Sequence, residues 1–194
     1  DEAMAAGINY YDTAWGYHGG NSELVMGEAL SKYKRESFYL ADKFPGYDLS
    51  NMDKVEEIFE KQLERCRVDH FDFYLIHNVC EMNIDAYLDD EKYGIYSYLM
   101  EQKKNGRIKH LGFSMHDNAE NLDKILTEHP EMEFVQLQIN YADWESDSVQ
   151  SRLCHEVCMK HGKPVIIMEP VKGGNLVTMT PEVQKTFKEA NPDA

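Results

Sequence analysis

The chain has 194 residues, 42% of them hydrophobic and 28% charged, an ordinary globular mix that is enough for one sizeable core. Its formal net charge of −15 argues against nucleic acid or an anionic membrane as the main partner. No apolar run approaches the length of a membrane-spanning helix, and no secretory pattern is read. Four cysteines in a chain this long do not make a disulfide framework, so the cytoplasm is the expected compartment.

Residues 1–6 read as the tail of a helix stopped by Gly7. A short strand follows at Ile8–Tyr11, ending in Asp12-Thr13-Ala14. A glycine-bearing loop then leads to a helix opened by Ser22 and Glu23 and running to about Tyr33. Ser37–Lys43 is the next strand. Ser50 or Asn51 caps a helix whose apolar face is Val55, Ile58, Phe59, Leu63 and Cys66. Phe71–His77 is a strand, Tyr93–Asn105 a helix ended by Gly106, and Ile108–Ser114 a strand. A helix from Asn118 or Ala119 to His129 precedes a strand at Phe134–Asn140. Ser146–His161 is a helix with Val149, Leu153 and Val157 inward, followed by a strand at Pro164–Met168. Thr180-Pro181 opens a last helix with cap and first-turn proline in order, ending near Asn191-Pro192. Cys66, Cys154 and Cys158 lie in helical patterns and read as buried free thiols.

Six strand segments alternate with helices, with no linker or low-complexity segment between them, which means a parallel sheet. No strand is followed by a G-x-G-x-x-G or phosphate-binding loop, which weakens a doubly wound nucleotide fold. The expected fold is α/β, a (β/α)8 barrel present as a fragment spanning about strands 2–7, where a whole barrel runs to about 250 residues. Residues 1–194 are expected to be one such domain, incomplete at both ends.

Each strand finishes on polar groups: Asp12, Lys43, His77, Ser114 with His116, Gln136 with Gln138, and Glu169. In a barrel these ends converge on one face. Strand parity puts Tyr10 with Asp12, Ala41 with Lys43 and Leu75 with His77, so apolar ladders lead up to ionisable groups. Taken singly, such an aspartate caps a loop, such a lysine is solvated and such a histidine anchors a loop. Together with Tyr17 they make a set. Carbonyl reduction needs a proton donor beside a developing alkoxide, and a phenol serves poorly unless a cation lies next to its hydroxyl. Lys43 can supply that cation, Asp12 can hold the lysine, and His77 can orient the carbonyl oxygen. Backbone N–H groups around Lys172-Gly173-Gly174 can approach a diphosphate, with the lysine adding charge. Trp15, Phe44, Tyr47 and Trp144 are candidate walls of a substrate pocket.

Asp12-Thr13-Ala14, Tyr17, Ser22-Glu23, Gly27, Lys43 and the Leu75-Ile76-His77 ending closely resemble the aldo/keto reductase superfamily, over essentially the whole chain. The resemblance implies a (β/α)8 barrel that binds NADP(H) or NAD(H) extended and moves hydride between the nicotinamide and a small aldehyde, ketone or alcohol. It implies a catalytic tetrad of Asp12, Tyr17, Lys43 and His77, and nicotinamide-amide contacts from Ser114 and Gln136. Met168 stands where the family commonly stacks an aromatic residue on the nicotinamide, and a thioether can pack there. Ser114 is followed by Met115 where the family often has Asn. His18-Gly19-Gly20 and the run Met168–Gly174 resemble a bacterial branch whose members often continue into an iron–sulfur segment. A [4Fe-4S] cluster is therefore expected only in a C-terminal segment outside these residues, since Cys154 and Cys158 alone do not hold one. Two other functions share the barrel. A nicotinamide-binding regulatory or redox-sensing subunit would keep the residues and turn over slowly. A metal-dependent hydrolase would use Asp12, His77, His116 and Glu169, but no closely spaced histidine pair supports a metal site.

Overall fold

The structure, a computed structural model, describes residues 1–192. Six strands form one parallel sheet in sequence order: β1 (Tyr10–Asp12), β2 (Tyr39–Phe44), β3 (Phe71–Val79), β4 (Ile108–Met115), β5 (Val135–Gln138) and β6 (Val165–Met168). The helices are α1 (Glu2–Ala5), α2 (Ser22–Leu30), α3 (Val55–Cys66), α4 (Ile84–Leu88), α5 (Asp90–Tyr93), α6 (Ile95–Lys104), α7 (Ala119–Glu128), α8 (Ser151–Lys160) and α9 (Pro181–Ala190). Among the described residues no helix is long and apolar enough to cross a membrane.

The sheet is curled. Gln136 on β5 donates to Asp12 on β1 at 3.1 Å. Four strand spacings separate the two, about 19 Å in a flat sheet, so the side chains meet only across the inside of a barrel-like arc. Two apolar layers follow from strand alternation. Leu40, Phe44, Tyr74, Ile76, Leu111, Phe113, Val135 and Leu137 face the helices and form the main core with Ile58, Phe59, Leu99, Leu122 and Leu126. Ala41, Leu75 and Phe134, packed with Tyr10, Phe73 and Ile166, fill the inside of the arc.

Gly27 lets α2 cross α3 closely, since a Cβ there would collide with the Arg65 carbonyl. Cys66, Cys154 and Cys158 are buried free thiols, as the helical patterns predict. Burial raises the Cys154 thiol to about 11 and the Cys158 thiol to about 12, so both stay protonated.

The largest differences from the sequence expectation fall in three places. β1 keeps only three residues, because Ile8 is half exposed and outside the ladder. Between β3 and α6 lie α4 and α5, too short to show a helical period. Asp89 caps α5 by accepting from the Lys92 N–H at 3.2 Å. α8 begins at Ser151 rather than Ser146, because Gln150 adopts a left-handed φ of 54°. That start rotates its inward face to Ser151, Cys154 and Cys158 and leaves Leu153 exposed.

Candidate active site

Parallel pairing gives register partners the same face. Asp12 pairs with Ala41, Lys43 with Leu75, and Leu75 with Gly112. Ser114 pairs with Gln136, which pairs with Ile166, and Gln138 pairs with Met168. Asp12, Lys43, His77, Ser114, Gln136 and Met168 therefore all belong to the inward face at the carboxyl ends of the strands. Two residues below them on the same face stand Tyr10, Ala41, Leu75, Gly112, Phe134 and Ile166 in turn.

Lys43 is the most constrained of them, with only 1% of its side chain exposed. A buried ammonium must be paired. Its Nζ is ion-paired with Asp12 Oδ1 and donates to the Thr13 carbonyl at 2.9 Å. It also lies 5.0 Å from the centroid of the Tyr17 ring. The second Asp12 oxygen accepts from Gln136 at 3.1 Å and from the Tyr10 hydroxyl at 3.4 Å. Burial, then the Asp12 charge, pushes the Tyr10 phenol up, so that hydroxyl is a neutral donor. Tyr17 sits at the start of a tight turn over residues 17–20 in which His18 and Gly19 have positive φ. The ammonium thus faces the Tyr17 ring rather than hydrogen-bonding its hydroxyl.

His77 occupies an irregularity. The β3–β4 register slips between Ile76 and Val79, and Asn78 has a φ of 52°. This bulge is held from three sides. The Asn78 N–H donates to Ser114 Oγ at 2.9 Å, Asn83 donates to the Asn78 carbonyl at 2.9 Å, and the Tyr87 hydroxyl donates to the His77 carbonyl at 3.0 Å. Bulges re-aim side chains beside sites. The His77 ring meets Tyr17 edge-on at 5.7 Å and Tyr47 edge-on at 5.1 Å. Burial, then the nearby Lys43 charge, lowers its pKa from 6.5 to about 3, so the ring is neutral at pH 7. Its Nδ1 is buried without a hydrogen-bond partner. A proton there would lack an acceptor, which favours the tautomer protonated on Nε2.

Of the four aromatic residues expected to wall a pocket, Tyr47 reaches the site. Phe44 faces the helices and packs edge-on to Tyr87, Trp15 packs under the Arg65 guanidinium at 4.1 Å, and Trp144 packs against His155. The turn Lys172–Gly174 follows β6 with φ of 47°, 63° and 93° at its three residues. Its lysine ends on Asp143 Oδ1 at 2.6 Å. The turn is thereby tied to the β5–α8 loop rather than to the tetrad.

The residues not anticipated lie behind the site. Asp42, on the outward face of β2, is fully buried together with Glu23 of α2 and Gln62 of α3. Gln62 Nε2 lies within hydrogen-bond distance of Glu23 Oε1 (3.0 Å), Asp42 Oδ1 (3.0 Å) and the Lys43 carbonyl (2.9 Å), and its Oε1 accepts from the Tyr74 hydroxyl at 2.5 Å. Arg65 pairs with Glu23 at 2.9 Å. Burial, then the Glu23 charge, pushes the Asp42 carboxyl well above the ordinary carboxylate range, and Cys66 Sγ lies 3.6 Å from Asp42 Oδ2. The sequence carried one sign of this cluster. Gln62 interrupts an otherwise apolar stripe on α3.

The family model for the Aldo/keto reductase family matches residues 1–193. The NADH-specific methylglyoxal reductase of Escherichia coli (strain K12) is 25% identical over 192 residues, covering 90% of this chain and 56% of that protein. A crystal structure of an aldo/keto reductase from Brucella melitensis superposes with a TM-score of 0.70 at 24% identity, covering 98% of this chain and 67% of that one. An aldo/keto reductase from Klebsiella pneumoniae, solved with NADP and acetate, superposes with a TM-score of 0.69 at 20% identity, covering 90% of this chain and 57% of that one. The chain spans between 36% and 56% of the length of four curated relatives that it matches. The curled parallel sheet has the shape of these barrels, and with a family match over nearly every residue the chain belongs to the aldo/keto reductase family.

Proposed function

We propose that this protein moves hydride between a nicotinamide dinucleotide and the carbonyl or alcohol carbon of a small molecule. The observation that carries this reading is the buried Lys43 ammonium, held by Asp12 and Thr13 and lying beside both Tyr17 and the neutral His77. Bound nicotinamide would supply or accept the hydride. Tyr17 Oη donates the proton to the carbonyl oxygen as charge develops there, and takes it back in the oxidative direction. The Lys43 charge favours the phenolate left behind, and Asp12 keeps that charge in place. His77 donates from Nε2 to the carbonyl oxygen and orients it. Catalytic hydrogen bonds of this kind often tighten only in the complex.

The remaining inward residues suit the cofactor. Ser114 Oγ accepts from Asn78 and keeps its O–H to donate, while Gln136 uses Nε2 on Asp12 and keeps Oε1 to accept. That is the complement of a carboxamide, which offers one acceptor and two donors. Met168 would pack on the ring face. Lys172, Gly173 and Gly174 would approach the diphosphate, and a Cβ at either glycine meets nothing within 4 Å, so the backbone is open there. Among the relatives, one is named as NADH-specific and one was solved with NADP. Both cofactors therefore belong in the assay, with small aldehydes as substrates.

Replacing Tyr17 with Phe keeps the ring and removes the hydroxyl. Carbonyl reduction with NADPH or NADH should fall by the roughly 10²- to 10⁴-fold typical of a lost general acid, while cofactor affinity is nearly unchanged. Wild-type single-turnover rates in the variant would transfer the acid role to His77.

A further inference from the structure

Asn140 and Asp143 have no part in the chemistry above, yet both are buried polar residues, at 6% and 4% exposure. Asn140 Oδ1 accepts from the N–H groups of Ala142 and Asp143 at 3.1 and 2.9 Å. Its Nδ2 lies 2.8 Å from Asp143 Oδ2 and 3.2 Å from the Glu169 carbonyl. Gln138 donates to the same Asp143 oxygen at 2.8 Å. The other Asp143 oxygen holds the Lys172 ammonium at 2.6 Å. These donors bring the Asp143 carboxyl down to about 2, the Lys172 hydrogen bond contributing most, so the carboxylate is charged at any working pH.

The far side of this clamp is strained. Glu169 and Lys172 both have positive φ, at 54° and 47°, in the left-handed region that non-glycine residues seldom occupy. Both are fixed from the β5–α8 loop, Glu169 through its carbonyl and Lys172 through its ammonium. The lysine spends one N–H on Asp143 and remains 43% exposed, leaving donors for an outside anion. A carboxylate already held by Gln138, Asn140 and Lys172 costs little reorganisation when a phosphate arrives.

We infer that Asn140 and Asp143 are positioning residues that hold the Lys172–Gly174 turn in the conformation that receives the anionic diphosphate of the cofactor. This rests on the reading of that turn given under Proposed function. Asp143 acts through Lys172, and its negative charge is the fixed partner of that lysine rather than a competitor for it.

The test is a double-mutant cycle on cofactor affinity, read by quenching of protein fluorescence with NADPH and with NADH. Lys172→Met should weaken binding by roughly tenfold, the scale of one charge-assisted contact. Asp143→Asn should weaken it severalfold, and the double variant should bind no worse than Lys172→Met alone. The single-turnover rate of Asp143→Asn at saturating cofactor should stay at wild type, and Asp143→Glu should recover part of the affinity. Lys172→Met without effect would sink the diphosphate reading and this inference with it. Lys172→Met weakening binding while Asp143→Asn does not would sink the inference alone. So would equal losses from Asp143→Asn with and without Lys172, or tighter binding in Asp143→Asn.

Discussion

His77 carries the clearest consequence of a single residue's surroundings. Its folded pKa is near 3 while the free value is 6.5. The unfolded chain therefore binds a proton at this ring before the folded one does. Its contribution to stability is fully present above pH 6.5 and is lost as pH falls toward 3. Replacing His77 with Gln should flatten that part of the stability profile, measured as the urea midpoint across the same range. An unchanged acid slope in the variant would show that the ring does not titrate there. The sequence made this residue visible because parity aligns His77 with Leu75 and Phe73. It hid the bulge at Asn78, which depends on Ser114, Asn83 and Tyr87, partners brought from elsewhere in the chain. It also hid the stance of Tyr17, because a turn with positive φ at His18 and Gly19 sets the ring by backbone geometry that no periodicity encodes.

Elements that carry a long apolar period were legible, and those set by polar contacts were not. The face of α3 follows Val55, Ile58, Phe59 and Leu63, as read from spacing, and α7 buries Leu122, Ile125 and Leu126 at the same helical period. On α2 the spacing misleads, because Leu24 and Val25 are exposed while Glu23 is buried. Glu23 is buried because Arg65 and Gln62 of α3 satisfy it, a contact between elements about 40 residues apart. The same cluster makes β2 sensitive to pH. Asp42 has a folded pKa raised above its free value, so the folded chain keeps this proton longer and the cost grows as pH rises from 3.8. Asp42→Asn mimics the protonated acid and should remove that cost. The difference in urea midpoint between variant and wild type should shift in favour of the variant as pH rises through the neutral range. A difference independent of pH would mean that Asp42 stays ionised in the fold. Because Gln62 bonds the Lys43 carbonyl as well, Gln62→Leu should both destabilise the protein and loosen the strand that presents Lys43.

At the scale of the molecule, order is graded from the middle of the sheet outward. Phe71, Tyr74 and Leu75 of β3 and Ile108, Leu111 and Phe113 of β4 are all at most 1% exposed, with helices on one side and the inner layer on the other. Among the described residues β6 pairs only with β5, Ile167 is 54% exposed, and α9 buries no residue fully. Phe187 of α9 meets Tyr141 of the body edge-on at 5.1 Å. Alternation of strand and helix made the order of the sheet legible, but how tightly each unit is held depends on what covers it, and that is not written in the unit's own residues. Local opening follows buried apolar area and backbone hydrogen bonds. In hydrogen exchange on the 194-residue chain, amides of α9 should therefore exchange first, then those of β6 and β1, with β3 and β4 last and near the global rate. Within β6 the gradient has a further check. Its side toward β5 is hydrogen-bonded through the Pro164 and Met168 carbonyls, which accept from Val135 and Ile139 at 3.1 and 3.2 Å. Val135 and Ile139 amides should consequently lose protection with β6, well before those of Leu111 and Phe113. If β1 and β6 instead exchanged as slowly as β3 and β4 at low concentration, a second copy would have to cover the two edges. Their protection would then rise with protein concentration, and a dilution series would reveal it.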